Sequence, residues 1–495
     1  MIEALATDLR FELTGARLDG SALLGEGGAR VIKLRPGGVA LCKRLAGGVS
    51  GPFTSAELRL MARLAERRML RLAAPEGASA PRVSAIVPAV DSQGIQECLD
   101  ALELIPEVSE VVLVSDGSPD VARLGEIAAA RGARYISLER NHGPAGARNA
   151  GAAAARGEVL LFVDSDAVTL GGLSALLRLF SAPALALAAP RVRTAAPLEP
   201  ASRITRAIAA YEGLHSPLDM GEAPGEAGDA PAYVPTACLA IRAEDFRKLG
   251  GFDERLRYGE DVDLLWRLRA RGGISYYSGI DGARHLPRRT LGAFLRQRHA
   301  YGSSAAPLAK RHPGRLNHLH LDEVTVAMAA FPMAGAAMRV AGIAAARRRL
   351  ATLARQAGLD EGELPALGTQ ALAGLATELS MLVRALGLPA LGLAIPSRRV
   401  RRNLAKVLAM LAAARAIQTL LAGAGPSTAM ATGAIAIVDD LAYSAGLAWG
   451  AAKERSLGAY TPALRPGPLL ARLGRRPSTG SVPRRSWWGS PPSSA

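Results

Sequence analysis

Three short apolar runs in the first half of the chain each end in an acidic group. Asp91 follows Val83–Val87 and Pro88, Ser115-Asp116-Gly117-Ser118 closes Val111–Val114, and Asp164-Ser165-Asp166 closes Val159–Val163. A lone Asp-Gly-Ser is a common turn, and Asp-x-Asp pairs often cap helices. Their succession at three strand ends is what calls for chemistry. Asp91 and Asp116 suit the imide and amide donors of a pyrimidine ring, or a ribose. Carboxylates at i and i+2 of an extended segment point the same way, so Asp164 and Asp166 suit a ribose hydroxyl and a hard divalent cation, Mn2+ or Mg2+, on two phosphates. Between these strands, Asn141-His142-Gly143-Pro144-Ala145-Gly146-Ala147-Arg148 starts a helix whose small residues permit close backbone approach. Arg148 there faces a phosphate or braces the acidic loop.

A second constellation begins at Gly250-Gly251-Phe252-Asp253-Glu254 and continues as Tyr258-Gly259-Glu260-Asp261-Val262-Asp263-Leu264-Leu265-Trp266-Arg267-Leu268. An acid at the start of an amphipathic helix is kept ionised by the helix dipole, which suits a general base. A simple cap would explain either Glu260 or Asp261, but not the Gly-Gly-Phe-Asp segment before them. Glu260, Asp263 and Trp266 are the acceptor-side candidates. His285 follows a short strand expected near Ile274–Tyr277, and its imidazole suits the metal position that the acids leave open. Arg296 and Arg298, on the next amphipathic stretch, are candidates for a diphosphate.

The elements that must position these groups alternate. Strands at 83–87, 111–114, 135–138 and 159–163 are separated by helices at 93–104, 121–131 and 146–155. This βαβαβαβ succession predicts an α/β, doubly wound sheet with its ligand at the carboxyl ends of the strands. Residues 1–78 read as a small winged-helix-like unit in the order β, β, α, α, with Ser55 capping the last helix and a Pro/Gly/Ala/Ser linker from Pro75 to Pro81. The catalytic domain is expected over 79–315, with Gly221–Ala230 as a closing loop. Residues 316–460 read as helical, with apolar stretches at 324–340, 379–395, 404–421 and 429–452, and 461–495 as a basic, disordered tail. Arg339, Arg384, Lys406 and Asp439-Asp440 count against simple spanning helices and favour bundled or interfacial ones.

Composition narrows the classes further. The 495-residue chain is too long for one ordinary core. Its three cysteines lie far apart without a CxxC pair, which argues against a disulfide framework or a zinc cluster and fits a reducing compartment. Met1–Leu13 lacks the basic start and apolar core of a secretory leader. The net charge of +16 sits largely in late runs such as Ser397-Arg398-Arg399-Val400-Arg401-Arg402, flanking apolar helices and not interleaved with aromatics. That predicts contact with an anionic membrane face rather than nucleic acid, hence a cytoplasmic protein at the inner face of the cell membrane.

Taken jointly and in order, these motifs over residues 83–300 resemble the family 2 glycosyltransferases of the GT-A fold. The resemblance implies nucleotide contact by Asp91 and Asp116, ribose and metal contact by Asp164 and Asp166, Asp261 as base and His285 as third metal ligand. It implies one inverting displacement on an α-linked donor. No Gln-x-x-Arg-Trp is present, which argues against processive polymerisation. Residues 11–72 are more weakly similar to the peptide-binding modules of ribosomal-peptide maturation. With the Val438-Asp439-Asp440-Leu441-Ala442-Tyr443-Ser444-Ala445-Gly446 segment, the whole resembles the glycosyltransferases of mycofactocin biosynthesis. That implies a UDP-glucose donor and a peptide-derived redox-cofactor precursor as acceptor. A cell-envelope polysaccharide or lipid acceptor, a nucleotidyltransferase and a non-catalytic peptide-binding scaffold are the rival readings.

Overall fold

A computed structural model describes residues 1–25, 31–197, 201–222, 233–316, 320–321, 364–461 and 463–464. The expected helix at 324–340, nearly all of the closing loop at 221–230 and nearly all of the tail lie outside them.

The front unit opens with α1 (Ile2–Leu5) and β1 (Arg10–Leu13). An antiparallel meander of β2 (Ala16–Asp19), β3 (Ala22–Gly25) and β4 (Val31–Lys33) follows, then α2 (Pro36–Ala46), α3 (Ser55–Glu66) and β5 (Leu70–Ala73), which pairs back on β1. The extra hairpin turns at Gly20, whose φ of +53° favours glycine. Its strand β2, Ala-Arg-Leu-Asp, lacks an apolar run, and the apolar run of β3 is only Ala22-Leu23-Leu24. Thr54, not Ser55, caps α3: its hydroxyl accepts from Glu57 N at 3.3 Å and the Glu57 carboxylate accepts from Thr54 N at 2.8 Å. This unit is docked rather than tethered. Phe11, Met61, Leu64 and Leu72 are buried in one apolar cluster with Val83, Leu99 and Leu113 of the next domain, and the Tyr276 hydroxyl accepts from Leu72 N at 3.0 Å.

The second domain alternates as expected through β6 (Val83–Ala89), α4 (Ile95–Glu103), β7 (Val108–Asp116), α5 (Val121–Ala130), β8 (Arg134–Leu138), α6 (Gly143–Ala154) and β9 (Val159–Val163). It continues through β10 (Ala167–Thr169), α7 (Gly172–Arg178), β11 (Leu185–Thr194), α8 (Arg203–His215), β12 (Cys238–Arg242), α9 (Ala243–Leu249), α10 (Glu260–Ala270), β13 (Ile274–His285), α11 (Leu291–Ser303) and α12 (Ala305–Arg311). The strands form one sheet in the order β10-β13-β11-β12-β9-β6-β7-β8. β8, β7, β6 and β9 are parallel, and β12 runs antiparallel to both β9 and β11, so the α/β sheet is mixed. Successive residues alternate between two cores: Val159, Leu161 and Val163 face one, Leu160 and Phe162 the other. Strand β13 runs eight residues past the expected end at Tyr277. Ser278–Arg284 is polar and glycine-rich, but Gly282 allows the strand to lie against Pro190, which a Cβ would meet at 2.3 Å.

Three long helices follow: α13 (Leu364–Ala394), α14 (Arg398–Leu421) and α15 (Pro426–Glu454). Their shared core includes Leu379, Val383, Leu411 and Ile435, together with Ile208 and Tyr211 of α8 and Phe294 of α11. The bundle therefore packs on the sheet domain, and Arg384 forms ion pairs with Asp439 and Asp440 inside it. Two segments, Leu372–Ala394 and Arg398–Leu421, are long and apolar enough to cross a membrane by length and composition.

Candidate active site

The site gathers at the carboxyl ends of β6, β7, β9 and β13 and at the start of α10. Asp164 and Asp166 follow β9, and His285 is the last residue of β13, paired in register with Ala167. One ligand atom from each of Asp164, Asp166 and His285 lies within 4.8 Å of the others. Two carboxylates and an imidazole suit manganese or magnesium. Asp166 Oδ1 lies 3.0 Å from His285 Nε2, and its Oδ2 accepts from Arg288 at 3.0 Å. Burial would raise the Asp166 carboxyl, but His285 and Arg288 outweigh it and hold it well below the usual range. Burial likewise lowers the His285 imidazole, and Asp166 more than reverses that.

Arg148 sits on α6 and is buried, and of its two expected roles, phosphate contact or bracing of the acidic loop, its bonds here are of the bracing kind. Its guanidinium forks between Asp164 Oδ1 at 2.7 Å and Glu260 Oε1 at 2.6 Å, tying the metal-side acids to the start of α10. Gly259, the N-cap of that helix, has φ of +80°, and a Cβ there would meet Leu308 at 2.8 Å. Glu260 is buried, and this burial with the charge of Asp261 pushes its carboxyl up to about 7 despite Arg148. Asp261 is half-buried and raised by burial, while its Oδ1 accepts from Val262 N at 2.8 Å. A carboxylate drawn towards neutrality beside the donor site is a suitable general base.

The remaining predicted residues divide. Asp91 is exposed after β6, its Oδ1 accepting from Gln93 N at 3.0 Å, and remains open to a ligand. Asp116 is 2% exposed, and its two oxygens accept from His142 N at 2.6 Å and Gly143 N at 2.9 Å. It anchors the α6 N-terminus, and its burial keeps it from the expected base contact in this conformation. Asp263 is fully buried between Arg267, Arg311 and His312 at 2.7–3.0 Å, so it locks α10 to α12 instead of facing an acceptor. Trp266 packs with Leu256 and Leu308, with its ring against His312, and belongs to the core. Arg298 is buried against Glu212 and Asp439 and is not available to a diphosphate. Arg296 is exposed on another side of α11 from the metal-side pocket, lining a groove of about 740 Å³ with Tyr258, His299, Trp449 and Lys453. The pocket beside His285 is lined instead by Arg288, Glu212, Arg298 and Tyr301. Of these, sequence reasoning missed Arg288, whose signal was its place in His285-Leu286-Pro287-Arg288, three residues after the metal-site histidine.

The sequence model of Glycosyl transferase family 2 matches residues 84–243. A pre-mycofactocin glycosyltransferase of Mycobacterium tuberculosis, found in strains CDC 1551 / Oshkosh and ATCC 25618 / H37Rv, is 32% identical over 482 residues, 93% of this chain and 98% of the relative. This chain belongs to the family 2 glycosyltransferases. The uncharacterized glycosyltransferase EpsJ of Bacillus subtilis (strain 168) is 44% identical over 93 residues, 17% of this chain and 26% of its own. Among solved structures, a mannosyltransferase from Pyrobaculum calidifontis in complex with GDP-Man and Mn2+ is 18% identical, covers 71% of this chain and 90% of its own, and has a TM-score of 0.35. As a family 2 glycosyltransferase, the chain is an enzyme that transfers sugars, which removes the nucleotidyltransferase and scaffold readings.

Proposed function

We propose that this enzyme is an inverting, metal-dependent transferase that moves glucose from UDP-glucose to the peptide-derived precursor of mycofactocin, forming a β-glycoside. The observation that carries the chemistry is the Arg148 fork, which holds the donor-side Asp164 and the base-side Glu260-Asp261 pair in one rigid unit. The acceptor assignment rests on near full-length similarity to the pre-mycofactocin enzyme. Asp91 contacts the nucleotide, Asp164 the ribose, and Asp166 with His285 holds a Mn2+ or Mg2+ ion. When bound, such an ion offsets charge on the departing nucleoside diphosphate. Arg288, beside Asp166, adds a cation on the same side. Asp261 takes the proton of the acceptor hydroxyl as that oxygen attacks the anomeric carbon opposite the leaving group, and a single displacement inverts the centre.

The acceptor enters along the 740 Å³ groove, whose wall includes Tyr258, three residues before Asp261. Trp449 and Tyr258, 61% and 44% exposed, offer flat faces there. The peptide-binding role of residues 1–78 remains part of the proposal. So does contact with the inner membrane face: exposed Leu391, Leu393 and Ile395 at the end of α13 adjoin Arg398-Arg399-Val400-Arg401-Arg402 at the start of α14.

The test is incubation of purified enzyme with a panel of nucleotide sugars, with Mn2+ or with chelator, and either the mycofactocin precursor or envelope-lipid acceptors. A metal-dependent gain of one hexose mass on the precursor, with a β anomeric signal by NMR, is the expected result. Transfer only to lipid or polysaccharide would replace the acceptor, and full activity in chelator would remove the metal.

A further inference from the structure

Three acids and two arginines alternate through the interface between the helical bundle and the sheet domain. Asp440 of α15 pairs with Arg384 of α13 at 2.5 Å, and Arg384 reaches Asp439 at 3.5 Å. Asp439 also accepts from the Tyr211 hydroxyl of α8 at 2.8 Å and lies 3.3 Å from Nε of Arg298 on α11. Arg298 in turn holds Glu212 of α8 at 2.5 Å. Asp439, Asp440, Arg298 and Glu212 are all buried. At its inner end the chain of charges reaches the pocket beside the metal-side His285, because Glu212 and Arg298 line it together with His285 and Arg288.

A second observation fixes the same interface independently. Helices α11 and α15 cross with their backbones in contact. A Cβ on Gly446 would meet the His299 carbonyl at 1.9 Å, one on Gly450 the Ser303 carbonyl at 2.4 Å, and one on Gly302 the Tyr443 carbonyl at 2.1 Å. Such a crossing admits no side chain and leaves α11 little freedom to shift relative to α15. Buried ion pairs add little net stability, so four of them arrayed towards a pocket wall need another reason.

We infer that α15 is a working part of the catalytic unit, with Asp439 a positioning residue that acts through Arg298 and Glu212 to fix the α8–α11 wall of the donor pocket. The helical region then does more than adhere to a surface: it completes the site. This inference rests on the transferase reading above. It differs from a generic packing role in predicting an effect on the donor side alone.

The measurement is steady-state kinetics on the full chain, varying donor and acceptor separately. Asp439→Asn raises the donor KM about tenfold or more, as small misplacements of a site wall do. It leaves the acceptor KM within twofold, and Asp439→Glu restores part of the loss. Asp440→Asn removes the same charge one residue away, where it touches Arg384 and not Arg298, and keeps the donor KM within twofold. Should Asp439→Asn not accumulate folded, Arg298→Lys, which keeps the charge but not the two-sided fork, shows the same donor-side loss. Equal damage from the 439 and 440 variants, or loss spread evenly over both substrates, would mean that the array only holds the bundle together and would overturn the inference. A wild-type chain that neither binds nor hydrolyses any nucleotide sugar would instead refute the transferase reading itself.

Discussion

Glu260 and Asp261 compete for one proton at a buried helix start, and Arg148 decides between them. Its guanidinium bonds Glu260 directly, so Glu260 is held in place, while Asp261 is bonded by backbone N–H groups and not by Arg148. Asp261→Asn should therefore keep donor and metal binding yet lose transfer by roughly a hundredfold or more, measured by product mass under single-turnover conditions. Activity within about threefold of wild type would move the base to Glu260. The pH dependence follows from the same pair. A base acts when deprotonated, and both carboxyls are raised by burial, Glu260 to about 7. The acid limb of kcat/KM should then lie well above the ordinary carboxylate range of about 4, with activity falling as pH drops from neutrality. A rate flat down to pH 5 would contradict it. At this scale the placement of the acids Asp91, Asp164, Asp166 and Asp261 and of His285 at strand ends and a helix start was legible because their motifs are local. The partners of Asp263, Trp266 and Arg298 were not, because each depends on residues remote in sequence, such as Arg311, His312 and Asp439, that only the fold brings near.

Among the elements, α6 presents Arg148 in one of the two roles its motif allowed, bracing the acidic loop. The strands at 83–87, 111–114 and 159–163 and the helix after Gly143 were legible from apolar runs and small residues. The hairpin of β2 and β3 and the polar half of β13 were not, since pairing and glycine-permitted packing create them. Asp116 closes β7, and its carboxylate takes up two orphan N–H groups at the start of α6. Asp116→Asn replaces one acceptor by an amide donor facing an N–H. It should cost about 2–3 kcal/mol in denaturant unfolding, while the folded fraction binds donor with unchanged affinity. Unchanged stability with weakened donor binding would return Asp116 to the nucleotide. Trp449 of α15 and Tyr258 before α10 face the groove proposed for the acceptor. Trp449→Ala should raise the acceptor KM by roughly tenfold, the value of a lost flat contact near 1.4 kcal/mol, and spare donor hydrolysis.

For the whole molecule, the docked front unit and the docked bundle make the sheet domain one layer of a larger body, so neither end behaves as a free appendage. Removing residues 1–75 would strip Phe11, Met61 and Leu72 from a shared core, which makes truncation a poor probe of peptide binding. The membrane question can be asked without cutting. The apolar tip of α13 is exposed at Leu393 (63%) and Ile395 (81%), and arginines 398, 399, 401 and 402 begin the next helix, with Arg401 also donating to the Ala394 carbonyl at 2.8 Å. An apolar tip rimmed by cations suits shallow insertion into an anionic leaflet, each arginine near the surface contributing about 1 kcal/mol. The Arg384–Asp440 pair and the two buried acids of α15 fit a bundle packed on protein better than helices surrounded by lipid. Flotation with liposomes should therefore show binding that rises with the anionic-lipid fraction and falls with salt. Replacing Arg398 and Arg399 with glutamate should abolish that binding while leaving transfer to a soluble acceptor intact. Binding indifferent to lipid charge and salt, and resistant to carbonate, would instead place Leu372–Ala394 and Arg398–Leu421 across the bilayer.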